Sequence, residues 1–304
     1  MRLYHFKTFS RSYYFPEIKN SQQYLYGLYS PWGGLLPKLY WLLFRKFRFV
    51  RKLMELDSTQ VDFPFQMIMD ADGTDCVMSF NMGAPDCQER KISILGYDNK
   101  TSGRFFAKFS QFDQAKRLTL HEADIYHLLQ GTGLVPRIMR LIETPDYVYL
   151  KTEYITGSRP TGLILTKKIV DLSLLLKSYS IDGIPPTNCK TLTCLSHGDF
   201  CPWNMLEQND QIRLIDWEMA ADRPLGYDIF TFITQVSLLF HQDKTLTEAI
   251  NENLEQINYY FSNFSIDNWE PYLHDFAIKR KEYEIGKGNV QHSKKYECII
   301  NYKK

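Results

Sequence analysis

His197-Gly198-Asp199-Phe200-Cys201-Pro202-Trp203-Asn204 sets a carboxylate and a side-chain amide five residues apart, and Asp216 in Arg213-Leu214-Ile215-Asp216-Trp217-Glu218 adds a second carboxylate twelve residues later. Leu195-Ser196 and Leu214-Ile215 are short apolar leads, so each loop should leave a buried strand. Asn209-Asp210-Gln211 has turn chemistry between Met205-Leu206 and Ile212-Leu214. It predicts a hairpin that returns Asn204 toward Asp216. One carboxylate can accept a proton from a hydroxyl. An amide oxygen and a second carboxylate are hard donors of the kind Mg²⁺ prefers. The set suits phosphoryl transfer, which asks a protein chiefly for positioning and charge stabilisation. Trp203 and Trp217 read as core packing beside these loops.

The 304 residues are 44% hydrophobic and 23% charged, ordinary for a globular chain with a sizeable core. A net charge of +1 gives no global field toward nucleic acid, and none is expected as a partner. Six cysteines at 76, 87, 189, 194, 201 and 298 form no Cys-x-x-Cys pair. Cys189, Cys194, His197 and Cys201 fit no usual zinc spacing. No secretory signal is visible and no apolar run reaches the ~18 residues of a membrane span. Reduced thiols in a cytoplasmic protein are the expectation.

Three regions are read: an aromatic and basic N-terminal extension over 1–60, a strand-rich lobe over 61–154, and a mostly helical lobe over 155–304. Strands are expected at Asp75–Asn81, Arg90–Leu95, Phe105–Phe109, Arg137–Ile142 and Tyr147–Glu153. Turns are expected at Gly83-Ala84-Pro85-Asp86, Asp98–Gly103 and Thr144-Pro145-Asp146. One helix, about Gln114 to Gln130, is inserted after the third strand. Its apolar stripe of Leu118, Ile125 and Leu129 also contains Glu122. A buried carboxylate needs a cationic partner, and Lys108 on the preceding strand is the natural one.

These residues together resemble the aminoglycoside phosphotransferase and choline kinase group of small-molecule kinases. The matching elements are His-Gly-Asp-x4-Asn at 197–204, Ile-Asp-Trp-Glu at 215–218, the Lys108/Glu122 pair and Tyr227-Asp228-Ile229. The similarity spans about residues 75–235. It implies an α+β, two-lobed protein-kinase-like fold: a small lobe of antiparallel sheet with one helix, and a large, mostly helical lobe, with ATP in the cleft. It further implies that Asp199 is the catalytic base, that Asn204 and Asp216 are Mg²⁺ ligands, and that His197 orients the loop. Lys108 would contact the nucleotide phosphates, Glu122 would hold Lys108, and the backbone of Glu153-Tyr154-Ile155 would bind adenine. The first hairpin carries one glycine, Gly83, so Ser79 and Asn81 are candidates for further nucleotide contacts. The Phe-x-Pro-Trp-Asn form of the loop is similar to bacterial sugar or cell-envelope kinases. The expected acceptor is therefore the hydroxyl of a sugar or envelope saccharide. A choline- or aminoglycoside-type kinase and a non-catalytic nucleotide-binding scaffold are the alternatives. The absence of Asp-Phe-Gly and Ala-Pro-Glu disfavours a protein kinase.

Residues 18–54 hold seven Lys/Arg and no Asp or Glu. Two readings stand for the run from Leu35 to Met54: a helix packed on the core with its basic side in solvent, or an interfacial helix on anionic lipid at the inner face of a membrane. Leu246, Ile250, Leu254, Ile257 and Phe261 read as one core stripe. Residues 261–304 carry eight Lys/Arg against six Asp/Glu, a poor wall for a polycationic aminoglycoside. Gly286 to Lys304 reads as a loop and loosely held tail.

Overall fold

The computed structural model describes residues 2–8, 11–30, 35–73, 75–85, 87–160, 162–179, 181 and 192–303. The chain divides into two compact units, residues 1–155 and 156–304. Asp86, in the first expected turn, and Cys189, in the zinc spacing, lie outside the described residues.

The first unit is built on one sheet. Its strands are β1 (Arg2–Lys7), β2 (Ser12–Pro16), β3 (Glu55–Asp57), β4 (Cys76–Asn81), β5 (Ile92–Asp98), β6 (Gly103–Ser110), β7 (Ile138–Glu143) and β8 (Val148–Glu153). They are ordered β3-β1-β2-β4-β5-β6-β8-β7, with every neighbour antiparallel. The helices are α1 (Leu35–Lys46), α2 (Arg48–Lys52), α3 (Phe65–Asp72) and α4 (Asp113–Leu128), and a 3-10 helix spans Asn20–Leu28. The five strands expected from the sequence are β4 to β8, and the inserted helix is α4.

The first 60 residues do not stand apart from this unit. β1, β2 and β3 extend its sheet, β2 pairing with β4 through Tyr13↔Asn81 and Tyr14↔Phe80. The sequence hid β1 and β2 because both of their faces are covered, which erases the polar half of the alternation, and β3 because it is only three residues long. Leu3 and Tyr14 face a core with Phe65 and Ile68 of α3. Tyr4, Phe6, Tyr13 and Phe15 face a second core with Trp41 and Phe44 of α1. The lobe therefore has helices on both sides of its sheet rather than one helix. α3 is held by a buried group in which Asp72 accepts from Lys151 Nζ at 2.7 Å and from the Tyr149 hydroxyl at 2.6 Å. The Arg140 guanidinium donates to the Asp72 carbonyl at 2.7 Å.

The second unit contains α5 (Lys167–Leu175), β9 (Thr193–Ser196), β10 (Met205–Gln208), β11 (Gln211–Leu214), β12 (Ala221–Pro224), α6 (Tyr227–Phe240), α7 (Leu246–Glu252), α8 (Leu254–Ser262), α9 (Glu270–Gly286), α10 (Val290–Lys295) and α11 (Glu297–Ile300). β10 and β11 form the expected hairpin, and β9 pairs with β12. Asn209 and Asp210 both adopt positive φ, at 50° and 61°, as a two-residue turn between twisted strands requires. The stripe from Leu246 to Phe261 is split between α7 and α8 at Asn253, whose φ of −113° leaves the helical range. The tail expected after Gly286 is instead helical. Tyr296 and Ile299, three residues apart, are buried against α9, and the Tyr296 hydroxyl accepts from Gln235 Nε2 at 3.2 Å. Lys281 bound to Glu297 at 2.9 Å and the Tyr302 ring stacked on Trp269 help to dock it.

Candidate active site

Strand β9 delivers His197 directly from the buried Leu195-Ser196 pair. The His197 ring is fully buried between two loops. Its Nδ1 accepts from the Asp199 backbone N–H at 3.3 Å, so its Nε2 carries the proton donated to the Ile215 carbonyl at 3.0 Å. One imidazole thus ties the loop bearing Asp199 to the residue that precedes Asp216. Its ring packs on Trp217, with centroids 4.5 Å apart. Trp217 is itself buried, and its indole N–H donates to the Leu214 carbonyl at 3.1 Å.

Gly198 makes this approach possible. Its φ is +82°, and an added Cβ would lie 2.2 Å from the Met219 carbonyl oxygen. Only a residue without a side chain permits that backbone contact. Asp216 has a φ of 70°, an unusual left-handed conformation for a residue with a side chain.

Asn204 ends a short 3-10 turn, Pro202–Asn204. Its Nδ2 donates to the Asp199 carboxylate at 2.8 Å and to the Asp199 carbonyl at 2.9 Å. Both partners only accept, which fixes the amide orientation and leaves Oδ1 as the oxygen available to a cation. The Ile215 N–H donates to the Asn204 carbonyl at 3.0 Å, continuing the β10–β11 hairpin toward Asp216. The expected convergence of these two segments is thus a set of backbone and side-chain bonds.

Two residues of this site escaped the sequence reading as site residues. The Asp228 carboxylate, buried in the first turn of α6, accepts from Ser196 Oγ at 2.6 Å, from the His197 N–H at 2.9 Å and from the Gly198 N–H at 3.1 Å. It holds the backbone from which Asp199 projects. An acid opening an otherwise apolar helix was the available signal. Cys201 is also buried, and its thiol donates to Asp199 Oδ1 at 3.3 Å. Burial, then the Asp199 charge, pushes the Cys201 thiol well above its ordinary range. The side chain therefore acts as a neutral donor. No motif announces that role.

In the first unit, Lys108 Nζ lies 2.9 and 2.7 Å from the two carboxylate oxygens of Glu122. The Tyr126 hydroxyl, one turn along α4, donates to Glu122 Oε1 at 2.7 Å. A fully buried carboxylate is tolerable with this much satisfaction. Ser79 points to the same face of the sheet as Lys108, two strands away through the pairs Ser79↔Leu95 and Ser93↔Lys108. It is fully buried, and its hydroxyl has no hydrogen-bond partner among the described residues. Asn81 Oδ1 accepts from the Gly83 N–H at 3.1 Å. Gly83 has a φ of +68°, with the Lys91 carbonyl 2.7 Å from where a Cβ would stand. The single glycine of the hairpin is therefore a backbone requirement of the turn. The Glu153 N–H donates to the Arg137 carbonyl at 2.9 Å and its side chain accepts from the Arg137 N–H at 3.2 Å. Ile155 is buried at the end of the unit.

Residues 185–260 match the model of the phosphotransferase enzyme family. No curated protein is matched in sequence. Among solved structures, the amicoumacin kinase hAmiN, in complex with AMP-PNP, Ca²⁺ and Ami, aligns with a TM-score of 0.55 at 12% identity, over 79% of this chain and 94% of that one. The Plasmodium vivax ethanolamine kinase aligns with a TM-score of 0.51 at 12% identity, over 93% and 94%. These likenesses establish the fold, and the family match falls on the segment that holds His197, Asp199, Asn204, Asp216 and Asp228. Residues 185–260 thus carry the signature of the phosphotransferase enzyme family, within a chain whose fold is similar to that of small-molecule kinases.

Proposed function

We propose that the protein transfers the terminal phosphoryl group of ATP to a hydroxyl of a sugar or envelope saccharide, with Mg²⁺ as the metal. The observation that carries this reading is the tied pair of loops, in which Asn204 bonds to Asp199 and His197 bonds to the carbonyl next to Asp216. Asp199 is the base that orients and deprotonates the acceptor hydroxyl. Asn204 Oδ1 and the Asp216 carboxylate are the oxygens that would hold Mg²⁺, and this hard donor set fits that ion. When bound, the metal would neutralise charge on the nucleotide phosphates. Lys108 contacts those phosphates, and Glu122 with Tyr126 keeps the amine from swinging away. Backbone groups of Glu153 and Ile155 take the adenine, and Ser79 and Gly83 supply further nucleotide contacts. The nucleotide complex of hAmiN supports ATP as donor on a shared fold.

The sugar assignment rests on the Phe200-Cys201-Pro202-Trp203-Asn204 form of the loop and on the weakly basic charge of residues 261–304. The cytoplasm is the proposed place of work, since it supplies ATP and Mg²⁺. The fold shared with an ethanolamine kinase keeps an amino alcohol as the second acceptor class. ATP consumption across sugars, amino alcohols and aminoglycosides, with and without Mg²⁺, tests the reading. Turnover should appear with a saccharide and fall about 10²–10⁴-fold in Asp199→Asn. Nucleotide binding with no turnover on any acceptor would instead establish a scaffold.

A further inference from the structure

α1 is apolar on two opposite faces. Trp41 and Phe44 point inward, joining Phe6, Phe15 and Tyr26 in a closed aromatic core, and the Tyr40 ring stacks on Phe6 at 4.7 Å. Leu35, Leu39 and Leu42, at spacings of four and three, lie on the outer face with Leu36 and Leu43 beside them. Leu35 and Leu36 are each 79% exposed and Leu42 is 55% exposed. The patch continues past α1, where Phe49 of α2 is 65% exposed and Leu53 is 83% exposed. A helix docked on its own core has no reason to present leucines outward. The expected alternative, a packed helix with a basic outer side, thus holds only for its inner half.

The charge around these leucines selects the occupant. Residues 35–54 hold Lys38, Arg45, Lys46, Arg48, Arg51 and Lys52 and no acid. Arg48 is bound to Glu17 at 2.9 Å, and Arg51 donates to the Phe44 and Arg45 carbonyls. Lys38, Lys46 and Lys52 are exposed beside the leucines. At 12 residues α1 is too short to span a bilayer, and no described helix is long and apolar enough to do so. Exposed leucines and phenylalanines rimmed by lysine match the chemistry of an interfacial helix lying among anionic headgroups.

The geometry points to a membrane-docking surface formed by the outer face of α1 and the exposed residues of α2 and Leu53, with an anionic lipid bilayer as its partner. The leucines enter the acyl boundary and the lysines reach the headgroups along their own stems. Trp41 and Phe44 fix the helix to the β1–β2 sheet, so the first unit is carried to the surface rigidly. This inference does not depend on the chemistry of the catalytic loops.

Flotation of the full chain with vesicles of phosphatidylcholine, with or without phosphatidylglycerol, tests it. Binding should require the anionic lipid. It should collapse between about 0.1 M and about 1 M salt, as the Debye length falls from about 10 Å to about 3 Å. Leu39→Glu/Leu42→Glu should abolish binding while the near-ultraviolet circular dichroism and ATP turnover on soluble acceptors stay as in the parent. Lys46→Gln should weaken binding about fivefold. Equal binding to neutral vesicles, or binding indifferent to the leucine substitutions, overturns the proposal. So does a concentration-dependent dimer that the leucine substitutions abolish in a chain that ignores vesicles, since the face would then belong to a second copy.

Discussion

Asp228 shows how a buried carboxylate can shape the backbone of a candidate site. It satisfies two successive backbone N–H groups and one hydroxyl immediately before Asp199. Asp228→Asn would turn an amide donor toward groups that are themselves donors. The expected cost is about 1.5–3 kcal/mol in urea unfolding, with a larger fall in kcat than in ATP affinity. Gly198→Ala forces a methyl against the Met219 carbonyl and should cost at least about 1–2 kcal/mol and most of the activity. The buried thiols supply a pH test. Burial pushes Cys194 from 9.0 up to about 12 and raises Cys201 as well. Both stay protonated in the folded chain while unfolded thiols ionise. Their contribution to stability is therefore whole below about pH 9 and is lost as pH rises toward about 12. Denaturant midpoints followed over that range should fall. In the native protein below pH 9, iodoacetamide should modify exposed Cys298 and spare Cys194 and Cys201.

At the level of elements, the β6–α4 pair joins a strand lysine to a helix glutamate inside a dry interface. Lys108→Met takes the cationic partner from the buried Glu122 carboxylate, and should destabilise the first unit by about 3–5 kcal/mol. Glu122→Gln keeps the shape and loses the charge, so its signature should be a raised KM for ATP. The α10–α11 segment is held by Tyr296 and Ile299. Tyr296→Ala should cost about 3–5 kcal/mol and expose the segment to limited proteolysis. These elements differ in how plainly they could be read. α4 carries a 3.6-residue stripe and β4 to β8 are punctuated by turns, so their existence was legible. α10 and α11 are only six and four residues long, and α10 is polar at every position but Val290, so periodicity had little to act on.

At the scale of the molecule, the first 60 residues belong to the sheet. Deleting them removes β1 to β3, bares the edge of β4 and opens the Phe65–Phe80 core, so the truncated chain should lose sheet signal in circular dichroism and aggregate. The sequence by itself determined the phosphotransferase signature and the residues proposed for the site, because Asp199, Asn204, Asp216 and the Lys108/Glu122 pair carry chemistry that depends on residue type and spacing. It also determined the five strands β4 to β8, whose alternation and turns are local properties. Tertiary structure decided what spacing cannot encode: that Asp228 and Cys201 brace Asp199, that β1 to β3 complete the sheet, and that the leucines of α1 remain outside while Trp41 and Phe44 go in. Each of those outcomes depends on which surfaces meet across long stretches of chain, and burial is settled by such meetings.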